Sequence, residues 1–82
     1  MALHVTLHSH KARGQWSFLK PKNATLINRI IYGMSARFRV SVLQLANSGN
    51  HLHMVVHAND QRNFKNFLRS VTGLIARKIT KK

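Results

Sequence analysis

Asn47-Ser48-Gly49-Asn50-His51-Leu52-His53-Met54-Val55-Val56-His57 contains a tight turn followed by a strict alternation. Asn and Gly at 47–50 tolerate the positive φ that a short reversal needs. From residue 51 the side chains repeat every second position. Leu52, Met54 and Val56 fall on one side; His51, His53, Val55 and His57 fall on the other. That period predicts a strand over 51–57 with its apolar side on a core and its histidines in the open. Before the turn, 39–46 reads as the partner strand, with Leu43 and Leu45 as its inward set. A hairpin closing directly on the turn sets Ala46 opposite His51 and Gln44 opposite His53, so the Gln44 amide would supply an oxygen near the second histidine.

The pattern extends outward in both directions. Leu3, Val5 and Leu7 alternate with His4, Thr6 and His8, which predicts a half-buried strand over 3–8. Residues 9–20 read as a basic loop, in which Trp16 and Phe18 are expected to cover the core. Leu26, Ile27, Ile30, Ile31, Met34 and Phe38 recur at helical spacing, which predicts a helix over 23–37 with Asn23 as its cap. Arg29 and Arg37 fall off its apolar stripe, and Tyr32 beside the stripe reads as a packing or rim residue. After the hairpin, Asp60 caps a second helix over 61–79, its stripe formed by Phe64, Phe67, Leu68, Val71, Leu74 and Ile75.

The order β-α-β-β-α predicts an α+β fold, with two helices on one face of an antiparallel sheet. It is the ferredoxin-like motif without its last strand. The third strand is expected between the other two, which leaves the first strand as an exposed edge. Either a partner covers that edge, a second copy of the chain for instance, or the chain is a shortened version of something longer.

Composition narrows the function. The chain has 82 residues, enough for one domain over 1–82. It carries 14 Lys plus Arg against a single acidic residue, a formal net charge of +13. A domain so charged repels itself, and its natural partner is a polyanion, whose released counterions drive binding. Lys11, Arg13, Arg39, Arg62, Lys65 and Arg69 are candidate phosphate contacts. There is no Cys, which excludes disulfides and thiolate metal sites, and one Asp with no Glu, which excludes paired-carboxylate catalysis. No apolar run approaches the roughly 18 residues of a membrane span, and Met1 to Thr6 lacks a secretory pattern. The expectation is a cytoplasmic protein with no membrane partner.

Five of the six histidines share one inferred sheet face: His4, His8, His51, His53 and His57. Residues two apart on a strand lie on the same side, so His51 and His53 could reach one metal ion. Exposed histidines need no function, however, and a donor set without Cys and nearly without carboxylate does not select the metal.

Asn50-His51-Leu52-His53-Met54-Val55-Val56 resembles the His-hydrophobe-His motif of the HUH nucleases, in particular the insertion-sequence and REP-associated tyrosine transposases. The following helix, with Phe-Lys-Asn-Phe-Leu-Arg at 64–69 and a basic tail, is also similar. The resemblance covers roughly residues 1 to 80, and its sharp part is 50–56. It implies binding of single-stranded or hairpin DNA, with His51 and His53 as ligands of Mg²⁺ or Mn²⁺. Gln44 and His57 would be neighbours of that site, and the basic residues would grip phosphates. In that family a tyrosine on a later helix attacks the scissile phosphate. The only tyrosine here, Tyr32, does not match that position. Ser48-Gly49 stands where many relatives carry Met-Pro.

Three readings follow. The first is a truncated transposase-like domain that keeps DNA affinity and has no catalytic residue of its own. The second is a nuclease completed in trans by a partner's tyrosine. The third is a non-catalytic RNA- or DNA-binding α/β module. Absence of a nucleophile in the chain favours the first over the second, and histidines in place of Phe or Tyr on the open face tell against the common RNA-binding form of the third.

Overall fold

A computed structural model describes residues 2–8 and 17–80, with Thr80 by its backbone alone. Strand β1 (Ala2–His8) leads to helix α1 (Pro21–Phe38), the hairpin strands β2 (Val40–Asn47) and β3 (His51–Ala58), helix α2 (Gln61–Ile75) and a π-helical turn (Ala76–Thr80). The sheet order is β1-β3-β2, and β3 is antiparallel to both neighbours. The fold is α+β with the expected ferredoxin-like order, and β3 is the central strand. No helix among the described residues is long and apolar enough to cross a membrane.

Alternation divides the sheet cleanly. Leu52, Met54, Val56 and Ala58 of β3 are all buried, whereas His51, His53, Val55 and His57 between them stay partly exposed. Val5, Val40 and the β3 set meet Ile27, Ile30 and Ile31 of α1 and Phe67, Val71 and Ile75 of α2 in one core. Burial of these aliphatic and aromatic side chains supplies the main stabilisation, about 1.5–3 kcal/mol for each one fully removed from water. Both helices therefore lie on one side of the sheet, and the histidine side has no covering layer among the described residues.

The ends of the helices have definite causes. Asp60 caps α2 as expected: its Oδ1 accepts from the Arg62 backbone N–H at 2.7 Å. The start of α1 differs from expectation. The cap position is Lys20, which makes no side-chain cap bond, and Pro21 opens the first turn, where a missing N–H costs nothing. Asn23 is buried inside the helix, and its Nδ2 donates to the Ser17 carbonyl at 2.8 Å. Its amide thus ties down the preceding loop. Arg39 ends α1 in the left-handed region, at φ 56°, and its N–H donates to the Ser35 carbonyl. α2 stops at Ile75, short of the expected 79, and the π-helical turn takes over through Thr80.

Phe18 is buried, as expected, and is pinned to the hairpin. Its N–H donates to the Gly49 carbonyl at 2.7 Å, and its carbonyl accepts from Asn47 Nδ2 at 2.8 Å. Gly49 sits at φ 98° with its N–H on Asn47 Oδ1, so the reversal runs through Gly49, while Asn47 still belongs to β2.

Two expectations for β2 are corrected. Leu43 does not point inward. It is the extra residue of a bulge between Val42 and Gln44 and is 57% exposed; Val40, Val42 and Leu45 form the inward set. The hairpin register is also two residues away from the one that closes directly on the turn. Ala46 lies opposite His53, and Gln44 lies opposite Val55. Asn47 pairs with Leu52 and the Ser48 N–H donates to the His51 carbonyl, so the reversal is confined to 49–50. Because the shift is two residues, Gln44, Leu45 and Ala46 keep the faces expected of them, whereas the bulge reverses the faces of the residues before it.

Lys11, Arg13, Trp16 and His10, together with the tail at 81–82, lie outside the described residues.

Candidate functional site: an imidazole face

The open face is built from alternate positions of three strands. On β1 these are His4, Thr6 and His8, which pair with Val55, His53 and His51 respectively. On β2 they are Ser41, Gln44 and Ala46, opposite His57, Val55 and His53. His51 and His53 stand side by side on the central strand. Their ring centres are 5.9 Å apart and their planes within 11° of parallel. Both are on the open face, as the alternation predicts.

Local hydrogen bonds hold the two rings differently. His51 Nδ1 lies 2.7 Å from Asn50 Oδ1. An amide oxygen only accepts, so this contact places the proton on Nδ1 and the lone pair on Nε2. His53 Nδ1 lies 3.3 Å from Thr6 Oγ1, a longer contact to a hydroxyl that either donates or accepts.

The face has two halves. Around His53 there is an open concavity of about 430 Å³ lined by His4, Gln44, Ala46, His53 and Val55. The small Ala46 side chain opposite His53 leaves the room for it. His4 approaches His53 from β1 with ring centres 6.3 Å apart. Gln44 thus joins His53 and His4 despite the shift in register, and it does not sit beside His51. At the other end His8 faces His51 across the β1–β3 pairing, with ring centres 4.3 Å apart. The sequence placed His4 and His8 on this face but gave no sign that they divide the two central histidines between them. That division follows from the β1 register. His57 lies opposite Ala2 and Ser41, away from both halves.

The donor set bears on the ion implied by the resemblance. Mg²⁺ and Mn²⁺ favour carboxylate, carbonyl and water oxygens, whereas imidazole suits borderline ions such as Zn²⁺, Ni²⁺ and Cu²⁺. Here the donors are imidazoles with one amide oxygen nearby. No three His, Asp or Glu side chains among the described residues are grouped to hold one ion. The set fits the harder ions poorly.

The cations lie elsewhere. Arg62, Lys65 and Arg69 are exposed on α2, spaced three and four residues apart, so they form one row on the helical layer. Arg39 is exposed at the junction of α1 and β2. Tyr32 is 51% exposed on α1, so it also belongs to the layer across the sheet from His51 and His53. Among the described residues, the candidate phosphate contacts Arg39, Arg62, Lys65 and Arg69 are not gathered with the histidines on one surface.

The chain matches no protein-family model, no curated protein and no solved structure.

Proposed function

We propose that this chain binds single-stranded DNA, including the single-stranded flank of a hairpin, as a short domain of the HUH-transposase kind that does not cut on its own. The observation that carries the reading is the placement of His51 and His53 side by side on the face of the central strand that no layer of the described residues covers. Imidazole faces stack on unpaired bases, and their nitrogens exchange hydrogen bonds with base edges. The net charge of +13 supplies the long-range attraction, and releases counterions when phosphates replace them. Arg62, Lys65 and Arg69 on α2 serve the backbone of a folded or paired segment, while the sheet serves the unpaired one.

Cleavage is not part of the proposal. The only tyrosine is on the helical layer, and the hydroxyl that lies against His53 is that of Thr6, not a phenol.

Fluorescence anisotropy with a labelled single strand and with its duplex, across a salt series, tests the reading. Expected are tighter binding of the single strand, a steep loss with salt, and a weaker complex when His51 and His53 are both replaced by Ala. Absence of affinity at low salt overturns it. So does equal affinity for duplex and single strand that ignores the histidine replacements, since binding would then belong to the helical cations alone. Incubation with labelled single strands and Mn²⁺ is expected to give no covalent adduct, and an adduct on Tyr32 overturns the non-cutting assignment.

A further inference from the structure

The histidines on the open face are not equivalent. His8 and His51 are direct partners across two strands, and their ring centres are 4.3 Å apart. The other two neighbouring pairs are wider, at 5.9 Å for His51 with His53 and 6.3 Å for His4 with His53. A metal–nitrogen bond of about 2.0–2.1 Å sets ring centres roughly 4.5–5 Å apart when two imidazoles share one ion at angles from square to tetrahedral. The cross-strand pair is nearest to that separation, and small ring rotations bring it there. His51 and His53, with ring centres 5.9 Å apart, lie beyond that separation.

A second observation points the same way. A histidine that ligates a metal through one ring nitrogen usually donates its other N–H to an oxygen, which fixes its tautomer and orientation. Asn50 Oδ1 stands 2.7 Å from His51 Nδ1 and does this, so Nε2 is the nitrogen with the lone pair. Asn50 is exposed, so its amide is not needed to satisfy a buried group. Nitrogen donors without thiolate or carboxylate select borderline divalent ions over Mg²⁺ or Ca²⁺.

We propose that His8 and His51 form a bis-imidazole site for a borderline divalent transition-metal ion, of which Zn²⁺ is the representative. His51 binds through Nε2 and His8 through an imidazole nitrogen. The ion pins the edge strand β1 to the central strand β3, and its remaining coordination positions face solvent, where water or an anionic oxygen completes them. The site does not depend on the DNA reading. It uses His8, which that reading leaves aside, and it does not use His53.

The test uses the untagged full chain. Calorimetric titration with ZnCl₂ in a buffer that does not chelate is expected to give one ion per chain. Saturating Zn²⁺ is expected to raise the melting temperature by about 5 °C or more, because the ion binds the folded chain alone. Substoichiometric Ni²⁺, followed by NMR, is expected to broaden the imidazole signals of His8 and His51 first. His8→Ala and His51→Ala are expected to lose at least roughly tenfold in Zn²⁺ affinity, and Asn50→Ala about tenfold through the lost orienting bond. His53→Ala and His57→Ala are expected to bind as the parent does. Circular dichroism checks that each variant is folded, and both His8→Ala and the milder His8→Gln are measured. No Zn²⁺ uptake by the parent, unchanged affinity in the folded His8 variants, or broadening centred on His4 and His53 overturns the site. Loss of DNA binding in His53→Ala with Zn²⁺ uptake intact separates the two proposals.

Discussion

The two broad surfaces of this domain carry different kinds of nitrogen group. The strands contain no Lys or Arg, and their open side presents imidazoles. The helices and their flanks carry Lys20, Lys22, Arg29, Arg37, Arg39, Arg62, Lys65, Arg69, Arg77 and Lys78. Guanidinium and ammonium groups are permanent charges that act over about a Debye length and weaken with salt. An imidazole acts at contact, by stacking, by donating one hydrogen bond and by offering one lone pair. Under the proposed reading one layer would attract a polyanion of any sequence, while the other would test what has arrived. The contrast lies in the strands themselves: an alternating strand with one side in the core places its whole polar set on the other side, and here that set is histidine.

The sharpest way to break this comparison is within β3, between adjacent residues on its two sides. Leu52→Ala empties a fully buried position and is expected to cost about 2–5 kcal/mol in urea unfolding, whereas His53→Ala is expected to stay within about 0.5 kcal/mol. Equal losses would mean that the histidine side is structural. Next in size is the helical row. Replacing Arg62, Lys65 and Arg69 together with Gln would remove the three proposed phosphate contacts, so the slope of log affinity against log salt for a hairpin with a single-stranded flank is expected to fall by about 2 to 3. Replacing His51 and His53 with Ala is expected to weaken single-strand binding by about 1–3 kcal/mol per base no longer stacked, with the salt slope unchanged. Together the two experiments separate attraction from recognition. The smallest effect concerns the junction of the layers: Asp60→Ala leaves the Arg62 N–H without its cap and is expected to cost about 1 kcal/mol in thermal unfolding, with DNA affinity little changed.

The parts of the fold that were legible in the sequence are those dictated by period. The alternation of 51–57, the stripes of both helices, a reversal through Gly49 and the Asp60 cap depend on nearest neighbours along the chain, and the structure has them. The parts that were not legible depend on pairing. The bulge that turns Leu43 outward is a mismatch between two strands, and no feature of β2 alone announces it. Asn23 has the chemistry of a cap, but Pro21 was available to start the helix earlier, and the amide found a better partner in the Ser17 carbonyl. For the site, the face of each histidine was legible and its neighbours were not. His8 meets His51 and His4 approaches His53 because of the β1–β3 register, which joins segments more than 40 residues apart in the chain.

The edge position of β1 has a consequence for motion. Among the described residues this strand pairs only with β3, and its one strongly buried side chain is Val5. The helices rest mainly on each other, on β2 and on β3. Local opening follows the least-secured element, so β1 is the strand whose amides should exchange with solvent deuterium soonest, ahead of global unfolding. When it peels away it takes His4 and His8 with it and leaves His51 and His53 in place on a two-stranded hairpin. Anything that grips imidazoles from both strands would act as a latch, and the lifetime of the closed sheet would report its occupancy.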